Sequence, residues 1–378
     1  MVNVEADEAI GPGRPAMMSM MKQTTAWPTA ARWLPAMLVA AVLAGSSDAA
    51  DPLRIDQLQL LGTHNSYHIA PDRFAMTMLS AVAGSRVTPL DCSHRPLTDQ
   101  LEAGGLRHFE FDCYLDPEGT LFGSPLVIRL ADAAGAEVPA FDPQGRLARP
   151  GIKLLHSPDV DVRTTSYTLH DALTDVKTWS DAHPEHVPLF FLLELKSDSF
   201  TMTRPLPWEG DAFASLEREI IAVWPRERII TPADVQGAAA TLRDAVAGRG
   251  WPPVDAHRGK GVFLLDNEGA LRDRYLAATA KSRLLFVSVD RDHPEAAWMK
   301  RNDPVRHEAE IRRLVEDGFL VRTRADANSH EARANDPRRR DLAITSGAQL
   351  ISTDYPEPDL RLSDYCVTLP DPPEPRSD

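Results

Sequence analysis

Three histidines, an asparagine, three carboxylates and a lysine recur in short, well-separated stretches of this 378-residue chain. "LGTHNSYH" carries His64, Asn65 and His68, "HFEFDC" carries Glu110 and Asp112, "KLLHSPD" carries His156, and "FFLLELK" carries Glu194 and Lys196. Glu110 and Asp112 are two positions apart, so a strand holds both on one face and turns Phe109, Phe111 and Cys113 to the other. Carboxylates so close repel one another unless a cation sits between them. An asparagine oxygen with three carboxylates and no thiolate is a hard, all-oxygen ligand set, suited to Ca²⁺ first and Mg²⁺ second. His64 and His156, outside that set, are free for proton transfer. Each fragment alone reads as ordinary structure, because strand-end histidines are commonly hydrogen-bonded and an E-x-D pair commonly faces solvent. Gathered at one end of neighbouring strands, these groups are costly unless paired or metal-bound. The combination suits phosphoryl transfer, with a cation to neutralise phosphate and a base and an acid across the phosphorus.

Gathering them requires a particular arrangement of elements. Apolar runs with strand character lie at Ile55–Gly62, Leu106–Tyr114, Ile152–His156, Leu189–Leu195, Gly261–Asp266, Leu284–Asp290, Phe319–Thr323 and Gln349–Thr353, roughly eight in all. Amphipathic stretches such as "TLHDALTDVKTWSDAHP", "DAFASLEREIIAVW", "DPVRHEAEIRRLVEDG" and "PRRRDLAITSGA" separate them, several ending at Gly or Pro. The alternation predicts a TIM-type (β/α)8 barrel, irregular in spacing, as one catalytic domain over residues 51–368; an open doubly wound sheet is the alternative. In a barrel the reactive groups belong at the C-terminal ends of the strands. The first expected strand closes with His64 and Asn65, the third with His156 and the fourth with Glu194 and Lys196. The seventh carries Arg322 and Arg324, and the eighth closes with Asp354 and Tyr355. Pro/Gly/Ala-rich stretches at 116–150 and 234–260 are expected to be loops over the barrel, and 369–378 a disordered tail.

Composition bounds the rest. The chain is 43% hydrophobic and 25% charged, an ordinary globular balance, with a formal charge of −14. "WLPAMLVAAVLAG" (Trp33–Gly45), followed by small residues, reads as an export signal within an N-terminal extension over 1–50, so the protein is expected to be secreted or periplasmic. A membrane anchor is the alternative, but the run falls short of the ~20 residues that span a bilayer. The acidic balance argues against nucleic acid as main partner and against simple attraction to anionic membranes. Apolar residues of "PDRFAMTMLSAVAG" (Phe74, Met76, Met78, Leu79), with Trp208 and Trp298, are instead expected to make transient contact with a lipid surface, the bland reading being packing on the barrel rim. Three cysteines permit one disulfide, and none has zinc-site spacing.

"GTHNSYH", "LRHFEFD", "KLLHSPDVDVRTT", "FFLLELK" and "VRTRAD…ISTDYP", in that order, resemble the motifs of the secreted bacterial calcium-dependent phosphatidylinositol-specific phospholipases C. The resemblance implies an irregular (β/α)8 barrel, His64 and His156 as catalytic residues, and Asn65, Glu110, Asp112 and Glu194 as calcium ligands. It also implies Lys196 beside the substrate phosphate or inositol, Asp354 orienting His64, and Tyr355 or Arg322 against the inositol ring. The implied reaction is attack by an inositol hydroxyl on its own phosphodiester, releasing diacylglycerol and leaving a cyclic inositol phosphate, with His64 as base and His156 as acid. His68 is read as a loop residue, and Cys92 with Cys113 as a possible tie between the first loop and the second strand. The rival is a glycerophosphodiester phosphodiesterase acting on soluble substrates such as glycerophosphoinositol, whose first motif is His-Arg-Gly; the first expected strand here closes with "THNSYH" instead, and the one His-Arg-Gly of the chain, His257–Gly259, lies far beyond it. A catalytically inactive lipid- or sugar-binding protein is the third reading.

Overall fold

Strand formation follows the apolar runs. A computed structural model describes residues 51–198, 202–280 and 283–370, so the export segment and most of the expected tail lie outside the described residues. Its strands are β1 (Leu60–Thr63), β2 (His108–Tyr114), β3 (Lys153–Leu154), β4 (Leu189–Lys196), β5 (Ile229–Ile230), β6 (Gly261–Leu265), β7 (Phe286–Val287), β8 (Trp298–Lys300), β9 (Leu320–Arg324) and β10 (Leu350–Thr353).

Parallel pairing runs β6–β4–β2–β1–β10–β9–β8, and β7 joins β6 on its far side. A parallel bridge between Ser288 and Trp298 links the end of β7 to β8 and closes the circle. The ring therefore has eight parallel staves, as the alternating pattern predicts: an irregular TIM-type barrel whose seam is a single bridge. The central staves are buried on both faces, which is why "LFFLLELK" reads as a nearly unbroken apolar run. Outside the ring, Phe191 stacks on Phe263 at 4.8 Å and meets Trp224 edge-on at 5.4 Å. A buried aromatic side chain of this kind contributes about 1.5–3 kcal/mol. Inside it, β1 and β2 approach closely: a Cβ on Gly62 would lie 2.1 Å from the His108 carbonyl oxygen, so only glycine fits there.

Two expectations about the staves are corrected. The run ending in His156 is not a stave, because β3 pairs antiparallel with β2, Leu154 opposite Cys113 and Lys153 opposite Tyr114. The missing stave is β8, whose three residues are too few to show a period in the sequence. Trp298 consequently lies in that stave, fully buried, rather than in an exposed loop; Trp208 is equally buried and donates from Nε1 to the Lys196 carbonyl at 3.0 Å. Neither meets a lipid surface. The stretches expected to be loops also hold helices, Leu126–Ala133 in the first and Leu242–Arg249 in the second.

Candidate active site

The C-terminal ends of β1, β2, β4, β9 and β10 converge on one group of polar side chains. After β1 the chain turns at Asn65, whose φ of 47° lies in the left-handed region that asparagine tolerates. The turn is latched to β2 by Ser66, whose amide donates to the Glu110 carbonyl at 2.9 Å while its Oγ accepts from the Glu110 amide at 2.9 Å. His64 and Asn65 are thus held beside Glu110.

His64 Nδ1 lies 2.9 Å from Asp354 Oδ1, and its Nε2 faces Glu110 Oε1 at 3.8 Å. Asp354 also accepts from Arg324 at 3.1 Å through Oδ2, and its amide donates to Asp326 at 2.8 Å. Burial works against ionisation of Asp354, but His64 and Arg324 hold its carboxyl well below the usual range. Burial and the charge of Arg324 lower His64 to about 3 despite Asp354, so its imidazole is neutral at pH 7. A neutral imidazole that donates from Nδ1 to a carboxylate presents a basic Nε2 to the site.

The second histidine has a partner of its own. After β3 a tight hairpin pairs Ser157 with Asp161 through two backbone bonds of 3.0 Å, folding Asp161 back on His156, with Nδ1 2.8 Å from Oδ2. Asp161 escaped sequence analysis although it lies in "HSPDVD". An aspartate five residues after a histidine is no signal until the hairpin is known. Arg324 and Asp326, which support Asp354, were also missed as supports.

The carboxylates stand on β2 and β4. The parallel register sets Asp112 opposite Glu194 and Tyr114 opposite Lys196. Lys196 Nζ reaches Glu194 at 2.9 Å and Asp112 at 3.4 Å, and Arg322, only 1% exposed, is ion-paired with Glu110. Arg322 also donates to Asn302 and, at 3.0 Å, to Ser352. It is a buried brace for Glu110, with both terminal guanidinium nitrogens committed to protein groups and Nε unpartnered among the described residues. Tyr355 is not brought to the site: its ring is buried and packs edge-on against Tyr365 at 6.0 Å.

The donor set fits a hard divalent cation. Asp112 is 1% exposed, and among the described residues the donors beside its oxygens are only the Lys196 ammonium at 3.4 Å and the Tyr67 hydroxyl, neither in good hydrogen-bond geometry. A buried carboxylate so weakly satisfied is stabilised further by a cation or by a proton. Burial accordingly pushes Asp112 well up against the pull of Lys196, and pushes Glu110 up to about 7 against that of Arg322. Glu194 and Asn65 complete an all-oxygen group with no sulfur.

All three cysteines are free. Cys113 shares the outward face of β2 with Phe109 and Phe111, whereas Cys92 lies beside His68, its Sγ 3.8 Å from Nδ1. The expected tie between them is absent.

A family model described as "Phosphoinositide phospholipase C, Ca2+-dependent" matches residues 53–377. Among solved structures, the calcium-dependent phosphatidylinositol-specific phospholipase C from Streptomyces antibioticus aligns with a TM-score of 0.51 at 16% identity, covering 80% of this chain and 95% of that one. A calcium-dependent phosphoinositol-specific phospholipase C from Pseudomonas sp, in a myoinositol complex, aligns with a TM-score of 0.50 at 16% identity over 80% of this chain and 91% of that one. No curated protein sequence matches. At this identity the two structures speak to the fold, and the family model, spanning nearly every described residue, speaks to the rest: the chain belongs to the calcium-dependent phosphoinositide phospholipase C family and is an enzyme of that class.

Proposed function

We propose that the enzyme cleaves phosphatidylinositol by intramolecular attack, with His64 as base and His156 as acid. The observation that carries this reading is the pair of histidine–carboxylate dyads, His64–Asp354 and His156–Asp161, in a chain that also brings Glu110, Asp112 and Glu194 to the ends of β2 and β4. His64 Nε2 takes the proton of the attacking inositol hydroxyl, and Asp354 holds the imidazole in the tautomer that can accept it. The hydroxyl oxygen bonds to phosphorus as the bond from phosphorus to the glycerol oxygen breaks, and His156 Nε2 protonates that oxygen. Diacylglycerol and a cyclic inositol phosphate are the products. Lys196, a quarter exposed beside Asp112, is the proposed contact to the phosphate. Asn65, Glu110, Asp112 and Glu194 are the proposed calcium ligands, and bound calcium supplies positive charge to the phosphate and lowers the pKa of the hydroxyl.

The substrate reaches the site from a lipid surface. The helix Arg73–Ala83, following β1, exposes Met78 and Val82, and the loop after β4 exposes Met202 and Leu206. These residues form an apolar rim for an acidic protein to lay on lipid. The N-terminal run Trp33–Gly45 supports export; N-terminal sequencing of protein recovered outside the cytoplasm is expected to begin near residue 50, and an intact N-terminus there would sink that part.

Phosphatidylinositol, glycerophosphoinositol and glycerophosphocholine, each with and without chelator, test the whole. Calcium-dependent release of diacylglycerol from phosphatidylinositol is expected. Faster turnover of glycerophosphocholine, or full activity in excess chelator, would overturn the reading.

A further inference from the structure

His68, four residues beyond His64, lies outside the chemistry described so far, yet it is among the most buried polar groups, 3% exposed. Its position is set by backbone pairing. His68 bridges antiparallel to Thr164, with Ile69 donating to the Arg163 carbonyl at 3.1 Å and Thr165 to the Tyr67 carbonyl at 2.7 Å. This pairing docks the loop after β1 on the loop that carries Asp161.

The imidazole of His68 is then bonded at both ends. Nε2 lies 3.1 and 3.0 Å from the two oxygens of Asp161, and Nδ1 lies 3.1 Å from the Cys92 carbonyl. A carbonyl oxygen only accepts, and so does an ionised carboxylate. Burial opposes ionisation of Asp161, but His68 and the hydrogen bond from His156 hold its carboxyl down to about 2. Both ring nitrogens of His68 thus face acceptor oxygens. Asp161, 1% exposed, stands between two imidazoles whose ring centroids are 5.6 Å apart and nearly perpendicular.

We propose that His68 is a positioning residue for the reaction, acting through Asp161 on His156: its Nε2, within reach of both Asp161 oxygens, pins the carboxylate. The His156 ring is thereby held with Nδ1 on Asp161 and Nε2 towards the substrate, since Asp161 cannot swing without breaking its contact with His68. His68 touches neither substrate nor reacting atoms.

This rests on His156 as the acid, and the test separates the two. His68→Phe keeps the ring shape and removes both nitrogens, whereas His68→Gln keeps one donor for Asp161. Each is compared with His156→Ala and wild type for kcat and KM on phosphatidylinositol in detergent micelles, for Tm, and for the NMR resonances of the His156 imidazole. A joint change is expected: kcat lower by about 10- to 100-fold in His68→Phe and by less in His68→Gln, KM within about twofold, and the His156 resonances displaced. Unchanged kcat, or a loss of kcat with the His156 resonances in place, overturns the proposal. Should His68→Phe not fold, His68→Gln decides by the same joint criterion. An active His156→Ala removes the acid assignment and this proposal with it; an inactive His156→Ala beside His68 variants that fail the criterion removes this proposal alone.

Discussion

His64 and His156 each sit on a carboxylate, but with different neighbours. The Asp354 that holds His64 also takes Arg324, whose charge, with burial, lowers His64 to about 3. The Asp161 that holds His156 takes a second imidazole instead, and no arginine bonds it among the described residues. His64→Ala and His156→Ala are each expected to lower kcat by about 10²- to 10⁴-fold with Tm little changed; a variant that keeps its turnover would return that residue to structure. Lys196 carries a separate prediction. Its ammonium, 2.9 Å from Glu194 and 3.4 Å from Asp112, occupies the side of the ligand group that a cation must approach. Lys196→Met is expected to tighten calcium binding by about two- to fivefold, the scale of a partly exposed ion pair, while lowering kcat. Calorimetric titration with Ca²⁺ measures it, and weaker binding in the variant would show that Lys196 supports the ligands instead of competing.

Among the elements, most strands were legible as apolar runs. The motif "FFLLELK" announces β4 because six of that strand's eight residues are buried in a parallel sheet and leave an unmistakable apolar run. The two-residue β7 falls inside the expected run Leu284–Asp290, whereas the three-residue β8 carries too little pattern, and β3 has strand character but pairs in the opposite sense. The helix Arg73–Ala83 was legible as an amphipathic segment. Its N-cap Asp72, bonded to the Ala75 amide at 3.0 Å and to Arg163 at 2.6 Å, ties it to the loop of His156. That anchoring leaves the far end exposed, Val82 at 89%. Replacing Met78, Val82 and Met202 with Ser is expected to reduce activity on phosphatidylinositol vesicles by about tenfold and to leave a soluble inositol phosphodiester unaffected. Equal losses on both substrates, or a collapse in Tm, would assign these side chains to packing.

For the whole molecule, the proposed ligand group sets calcium and protons in competition for the same carboxylates. Glu110 is raised to about 7 by burial, so its protonated form favours the fold below its ordinary pKa of 4.5, and that contribution is lost as pH rises through about 7. His94 and His186, lowered to about 4 chiefly by burial, act in the opposite sense: their contribution is present above 6.5 and lost as pH falls towards 4. Both lie outside the ligand group, so their contribution is the same with and without calcium. The rise in Tm produced by saturating Ca²⁺ therefore isolates the carboxylates, and it is expected to be larger at pH 7.5 than at pH 5, where Glu110 and Asp112 must first shed protons. An equal rise at both pH values, measured by differential scanning calorimetry, would place the ion elsewhere.

The sequence by itself determined the chemistry available and the barrel that presents it. Strand periodicity puts Glu110 with Asp112 and Glu194 with Lys196, and a parallel barrel exposes strand ends at one rim, so these residues meet wherever such a barrel closes. Only the tertiary structure decided what stands behind them. Asp161 reaches His156 through a hairpin, His68 reaches Asp161 through pairing between two loops, and Arg322 turns inward to brace Glu110. Tyr355, next to Asp354, turns into the core. These placements depend on how loops dock and which way a side chain turns at the end of a strand. Neither leaves a periodic trace in the chain, because both are set by contacts between residues far apart along it.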